Sequence, residues 1–277
     1  MAEKTLPYAL TTVNRVKDLI GLTNPNFDLI LTREINAVTE YINAECNRNF
    51  LLQKYISEVH TQWGVRQKYI PLRQGPVFYQ TDIVSTTGGS NQITLSNPNG
   101  VQAGMQVTGD NILSNTFIQA FNPATGVATL TQNATGTSTQ SHIFVIGLIN
   151  LLYRAGTPDN PQWTPFTAPQ FEIVNNGRSG LARVYGFVSS IYNNTIKADY
   201  WAGYLINWAN AGDNLTHTLP SDLSRTAENL VVRWYKRREM AGKDSQTLEA
   251  STIHFSRLMD EQDIDVINRY KRPIGIS

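Results

Sequence analysis

The sequence predicts an α+β protein: a helical domain carrying a small antiparallel sheet, interrupted by an inserted all-β domain of sandwich or barrel type. Three observations predict it. Both ends of the chain place apolar residues at helical spacing. From Ile83 to Tyr153 the only formally charged residue is Asp110. That same stretch alternates short apolar and uncharged polar runs between turn signals, the pattern of strands and tight connections. Residues 1–85 and 147–277 are accordingly assigned to the helical domain and residues 86–146 to the insertion.

Val13, Val16 and Ile20 fall on one face of a short helix, with Thr11 or Thr12 as its cap and Gly21 suited to its left-handed exit. After an Asn24-Pro25-Asn26 turn, Phe27, Leu31, Ile35, Val38, Ile42 and Cys46 recur every three or four residues. They form one stripe of an amphipathic helix about five turns long. Lys54 to His60 and Lys68 to Leu72 read as strands, punctuated by Pro71 and Pro76.

Within the insertion, Gln92–Leu95, Gln106–Thr108 and Gly126–Leu130 alternate as half-buried strands do. Gly88-Gly89, Asn97-Pro98-Asn99-Gly100, Asn122-Pro123 and Asn133-Ala134-Thr135-Gly136 supply the turns. A disordered loop is the alternative, but repeated apolar alternation is uncharacteristic of disorder. Beyond it, Phe171–Val174 and Leu181–Val188 read as a hairpin around Asn176-Gly177, and Thr195–Tyr204 as a further strand. Ser221 then caps a helix, with Asp222 near its positive end. Leu223, Ala227, Leu230, Val231 and Trp234 form its apolar stripe, and Arg233, Lys236 and Arg237 another face. A last amphipathic segment, Leu258 to Tyr270, begins acidic and ends basic, and Pro273 prevents its continuation.

Charge excludes some functions. With 23 Lys+Arg against 22 Asp+Glu, there is neither a polybasic nor an acidic tail to choose partners by bulk charge. Charged residues make up 16 % of the chain, below the roughly 25 % of ordinary soluble domains, the deficit being filled by Asn and Thr. The single cysteine, Cys46, excludes an intramolecular disulfide and a Cys-based zinc site. No run approaches the ~20 apolar residues of a membrane span, and Met1 to Leu10 does not read as an export signal. The expectation is a protein that neither spans nor contacts a membrane and works in a reducing compartment.

Catalytic chemistry is poorly represented. His60, His142, His217 and His254 are scattered, outside any metal-ligand spacing, and read as surface or strand histidines. Neither a P-loop nor a Gly-x-Ser-x-Gly elbow occurs. Cys46 belongs to the apolar helical stripe, which makes it a core residue rather than a nucleophile. Asp260 to Asp265 lacks the glycine of a calcium loop and reads as the first turn of a helix. The sequence therefore predicts no enzyme, no cofactor and no metal. The basic set Arg233, Lys236, Arg237 and Arg238 admits two readings: a solvated helix face, or a contact for a subunit or for DNA phosphates held without sequence readout.

Three sets of residues carry a resemblance. Val13–Ile20, followed by the Phe27-Asp28 turn and the segment Tyr41–Phe50, form the first. Tyr200–Tyr204, Leu219-Pro220-Ser221-Asp222-Leu223 and the helix end Trp234–Glu239 form the second, and Ile267–Pro273 the third. In this order they resemble the head-tail connector (adaptor, or head-completion) family of tailed bacteriophages, over roughly residues 10–85 and 165–277. The 86–146 insertion and the Pro-rich Thr157–Pro169 depart from that pattern. Gly104–Gly109 is similar to small β modules of other phage structural proteins.

The resemblance implies a helical connector domain in a non-enzymatic virion protein at the head-tail interface, assembled in the host cytoplasm. It implies a homo-oligomeric ring, a dodecamer, docked under the portal protein, extending the DNA channel and presenting a platform to a tail, stopper or tail-tube protein. Heterologous contacts whose rotation closes would build such a ring. In this reading the terminal segment docks on a neighbouring ring through Tyr270, Lys271, Arg272 and Ile274. Arg233, Lys236 and Arg237 line the channel, past which double-stranded DNA moves without sequence recognition. The rival expectation is a tail or capsid decoration protein whose β module binds a host glycan through Asn, Thr and aromatic side chains.

Overall fold

The computed structural model describes residues 5–6, 8–60, 69–157, 160–166, 171–178, 180–185, 195–206, 218–238, 245–248, 251–254 and 259–272. They form two compact units: residues 1–50 with 205–276, and residues 51–204.

The first unit is helical. Helix α1, Val13–Ile20, starts where the Thr12 side chain accepts from the Arg15 N–H, and ends at Gly21 with φ 71°. A 3-10 turn over Pro25–Phe27, capped by Asn24, leads into α2, Asp28–Glu45. Leu31, Ile35, Val38, Ile42 and Cys46 are fully buried, each burial favouring the fold by about 1.5–3 kcal/mol for the larger side chains. Helix α3, Ser221–Arg238, has Ser221 as its first residue rather than its cap. Its buried face holds Leu223, Ala227, Leu230 and Val231 as expected, but Tyr235 replaces Trp234 as the last buried ring. Trp234 is half-buried and meets Tyr41 edge-on at 5.5 Å. Helix α4, Glu261–Tyr270, carries a full capping box made by Asp260 and Asp263.

The second unit is all β. Its strands are β1 (Gln53–His60), β2 (Tyr69–Pro71), β3 (Tyr79–Thr86), β4 (Gln92–Thr94), β5 (Gln106–Gly109), β6 (Thr116–Asn122) and β7 (Val127–Leu130). They continue with β8 (Ser138–Ile146), β9 (Leu148–Thr157), β10 (Asn160–Pro165), β11 (Phe171–Ile173), β12 (Leu181–Val184) and β13 (Ile196–Ala202). A separate hairpin, β14 (Ser245–Leu248) with β15 (Ser251–His254), belongs to the first unit.

Six strands make one sheet in the order β3-β8-β5-β6-β7-β4. Its two end strands also meet: Asp82 of β3 accepts from the Ser96 N–H just past β4 at 2.8 Å. The sheet thus nearly closes into a barrel around Val84, Ile93, Met105, Val107, Ile118, Leu130, Ile143 and Val145. Gly109, with φ 135°, lets β5 press on β8, because a Cβ there would sit 2.2 Å from the His142 carbonyl oxygen. The remaining strands form a four-stranded sheet, β1-β13-β9-β10, and a three-stranded sheet, β11-β12-β2. These two share one core that includes Ile70, Leu148, Leu151, Val184, Ile196 and Tyr200.

The fold-class expectation is therefore corrected. The described residues are mainly β, with thirteen strands in three sheets beside the hairpin and four α-helices; they are not a helical connector domain with a small sheet. Two causes account for the difference. The strands read on either side of the insertion join sheets of their own instead of decorating a helical body. In addition, neither β9 nor β10 carries a strand signal in its sequence. Leu148-Ile149-Asn150-Leu151-Leu152 lacks a strand's alternation, and Pro161 and Pro165 argue against a strand. The prolines are tolerated because β10 is an edge.

Candidate functional site

The residues proposed for docking and for the channel gather on α3, α4 and the chain that follows. Asp222, at the start of α3, accepts from the Tyr270 hydroxyl at 2.7 Å and lies 3.3 Å from Arg269 Nη1. Toward the other end of α3, Arg233 donates to Asp260, which caps α4, and to Asp263 in its first turn. Charges thus match at both ends of an antiparallel helix pair. Burial pushes the Asp263 carboxyl up. The more exposed Asp260 is held below the usual carboxylate range, chiefly by the Asp263 N–H it caps and also by Arg233. Ile267 of α4 is buried, and the Tyr270 ring meets Phe50 edge-on at 6.1 Å.

Of the expected docking residues, Tyr270 thus engages its own unit. Arg272 does so through its N–H, which donates to the Cys46 carbonyl at 3.0 Å. Lys271 Nζ lies 3.6 Å from Glu45 Oε2, both side chains being largely exposed. Ile274 lies outside the described residues. Of the expected channel residues, Arg233 is taken up by α4, whereas Lys236 and Arg237 are exposed. Arg238 is exposed too and lies over the Tyr235 ring, 5.2 Å from its centroid.

A second charged centre joins α3 to the N-terminal segment. Glu228, almost fully buried, pairs with Arg15 Nε at 2.9 Å and Arg225 Nη1 at 3.3 Å, and accepts from the Thr11 hydroxyl at 3.4 Å. Sequence reading missed Glu228 altogether. The signal available was an acidic residue adjacent to an otherwise apolar stripe, three residues beyond Arg225.

In the β unit the densest polar centre is Glu58. Its carboxylate accepts from the Tyr200 hydroxyl and from the Arg73 N–H at 2.7 Å, with His60 Nε2 at 2.8 Å. Burial works to raise this carboxyl, but the bonds from His60, Tyr200 and Arg73 outweigh it and hold it below the usual value. Tyr200 is fully buried and its oxygen also accepts from the Gln74 N–H at 3.0 Å, so the centre ties β1 and β13 to the chain after β2.

Cys46 is buried and its thiol is pushed up to about 11, chiefly by burial, against the opposing pull of Arg48 and Lys271. A thiol so placed is a poor nucleophile at neutral pH. His142 lies in β8 and His254 in β15, while His217 lies outside the described residues. Among the described residues no group of three or more His, Cys, Asp or Glu side chains is placed to hold a metal ion. No described helix is long and apolar enough to cross a membrane. The chain matches no family model and no curated protein.

Proposed function

We propose that the protein is a structural component of a tailed-phage virion, an adaptor that forms a homo-oligomeric ring beneath the portal. In this reading the ring is a dodecamer, extends the DNA channel and presents a platform to the tail, stopper or tail-tube protein. The observation that supports it most is the convergence of four of the segments that carry the family resemblance. Val13–Ile20, Tyr41–Phe50, Leu219–Arg238 and Ile267–Arg272 are distant in sequence, yet they pack as one helical unit tied by Arg15–Glu228 and by Arg272 N–H to Cys46, whereas Tyr200–Tyr204 belongs to the β unit.

Such a protein works by geometry, not by turnover. The helical unit supplies a rigid body for heterologous contacts that close a ring. Phosphate contact falls to the exposed Lys236 and Arg237, and docking on the portal to Lys271 and the residues after Arg272.

Negative-stain microscopy of the purified protein, alone and mixed with its portal protein, tests the reading. Rings in either sample, stacked coaxially on portal in the mixture, are expected. Monodisperse monomers in both would overturn it.

A further inference from the structure

The three-stranded sheet β11-β12-β2 sorts its side chains sharply. Ile70, Ala182 and Val184 enter the core, and Phe171 and Ile173 pack against it. Alternation sends the neighbouring residues to the opposite face. There the register sets Arg183 directly across from Tyr69 on one side and from Glu172 on the other. Tyr185, two residues along, joins them.

Tyr69 is 47 % exposed and Tyr185 42 %. The Arg183 guanidinium lies over both rings, 5.8 Å from the Tyr69 centroid and 4.8 Å from that of Tyr185. Arg183 Nη1 is 3.3 Å from Glu172 Oε1. The Tyr185 hydroxyl also bonds Glu172, which raises its phenol above the ordinary value. Four side chains thus hold one another in one array, with both tyrosines exposed to solvent.

We propose that this array is a binding site for a neutral oligosaccharide, whose sugar rings lie against Tyr69 and Tyr185 while Arg183 and Glu172 hydrogen-bond their hydroxyls. Chemistry, charge and size argue for this occupant. Tyrosine offers a flat apolar face with a polar tip at little entropic cost, the complement of a sugar ring with its C–H face and hydroxyl rim. Arg183 and Glu172 cancel each other's charge, so the array lacks the net positive potential a polyphosphate backbone requires.

The row Glu172–Arg183–Tyr69 spans two strand spacings, about 10 Å, and Arg183 to Tyr185 about 7 Å along the strand. That area, on the order of 70 Å², is a small fraction of the ~800 Å² per partner of a stable protein interface. It is suited to about two sugar rings. The inference does not depend on the adaptor reading, and the site lies outside the Asn- and Thr-rich barrel.

The test presents the full-length protein to immobilised neutral oligosaccharides of hexoses and N-acetylhexosamines, with single-stranded oligo(dT) and sedimentation in parallel. Retention of a subset of the neutral sugars is expected. Tyr69→Ala and Tyr185→Ala should each weaken it at least about tenfold, a change of ~1.4 kcal/mol, with the melting temperature preserved. If either variant fails to fold, hydrogen exchange of the wild-type protein with the retained sugar replaces it, and protection is expected in β2 and β12. No retention by the wild type, retention unchanged by both substitutions, or protection elsewhere would overturn the proposal. So would retention of oligo(dT), or self-association, in place of sugar binding that the substitutions abolish.

Discussion

Arg233 of α3 forms an ion pair with Asp263, thirty residues further on in the first turn of α4. Asp263 is almost fully buried, and it is simultaneously half of the capping box that starts its helix. One arginine therefore links the start of α4 to α3, and a side chain that reads in sequence as one of a basic set has a structural partner.

Substituting Arg233→Gln should cost about 1–3 kcal/mol, because it leaves the Asp263 carboxylate inside without its cation. Lys236→Gln and Arg237→Gln, both at exposed positions, should change stability by less than about 0.5 kcal/mol. Chemical denaturation of the three variants distinguishes them. Equal losses at all three positions would show that Arg233 has no special role.

Glu58 gives the β unit a dependence on acid. Its folded carboxyl is held below the ordinary value, so its contribution is complete above about pH 4.3 and is lost as pH falls through the folded value. Glu58→Gln should destabilise the protein at pH 7 by about 2–4 kcal/mol, since His60, Tyr200 and the Arg73 N–H lose a charged acceptor. It should also flatten the acid limb of the stability curve. An acid limb unchanged by the substitution would assign that limb to other carboxylates.

Cys46 should resist alkylation in the native protein at pH 7.5, being buried with its thiol pushed up to about 11. Complete labelling is expected only in denaturant. Rapid native labelling would mean that the seam between α2 and the chain after α4 opens readily.

Gly177 follows two asparagines that are also left-handed, with φ of 52° and 51° at Asn175 and Asn176. A Cβ at Gly177 would lie 2.0 Å from the Val77 carbonyl oxygen. Gly177→Ala should therefore cost about 2–3 kcal/mol from backbone conformation and displacement of that contact. Thermal unfolding against an Asn176→Ala control measures it, and a neutral result would mean the turn can move away from Val77.

Removing residues after Arg257 takes away α4, with buried Ile267 and both carboxylate partners of Arg233. That truncation should destabilise the helical unit. Removing only residues after Arg272 should leave it folded by circular dichroism while abolishing attachment to portal particles, if the docking assignment holds. Normal attachment by the shorter truncation would end the assignment of docking to the residues after Arg272.

Local order determined what the sequence could disclose. Thr12 and Gly21 bracket α1, the stripe from Leu31 to Cys46 makes α2, and Asp260 starts α4. These features depend on neighbours within about a turn, so periodicity and capping residues reveal them. Likewise, the alternation in the low-charge stretch marks strands that enclose their own core.

Tertiary structure decided the rest, because pairing is set by complementarity between segments that no local pattern joins. Residues 53–60 pair with residues 196–202, and the proline-bearing β10 becomes a strand through its register with β9. Arg233 has partners because α4 folds back on α3, and Glu172, Arg183 and Tyr69 form a row because three strands align them. The sequence alone determined the caps of α1, the stripe of α2 and the strand alternation of the low-charge stretch; the tertiary structure decided which strands share a sheet, and which charges are paired within the protein rather than presented to a partner.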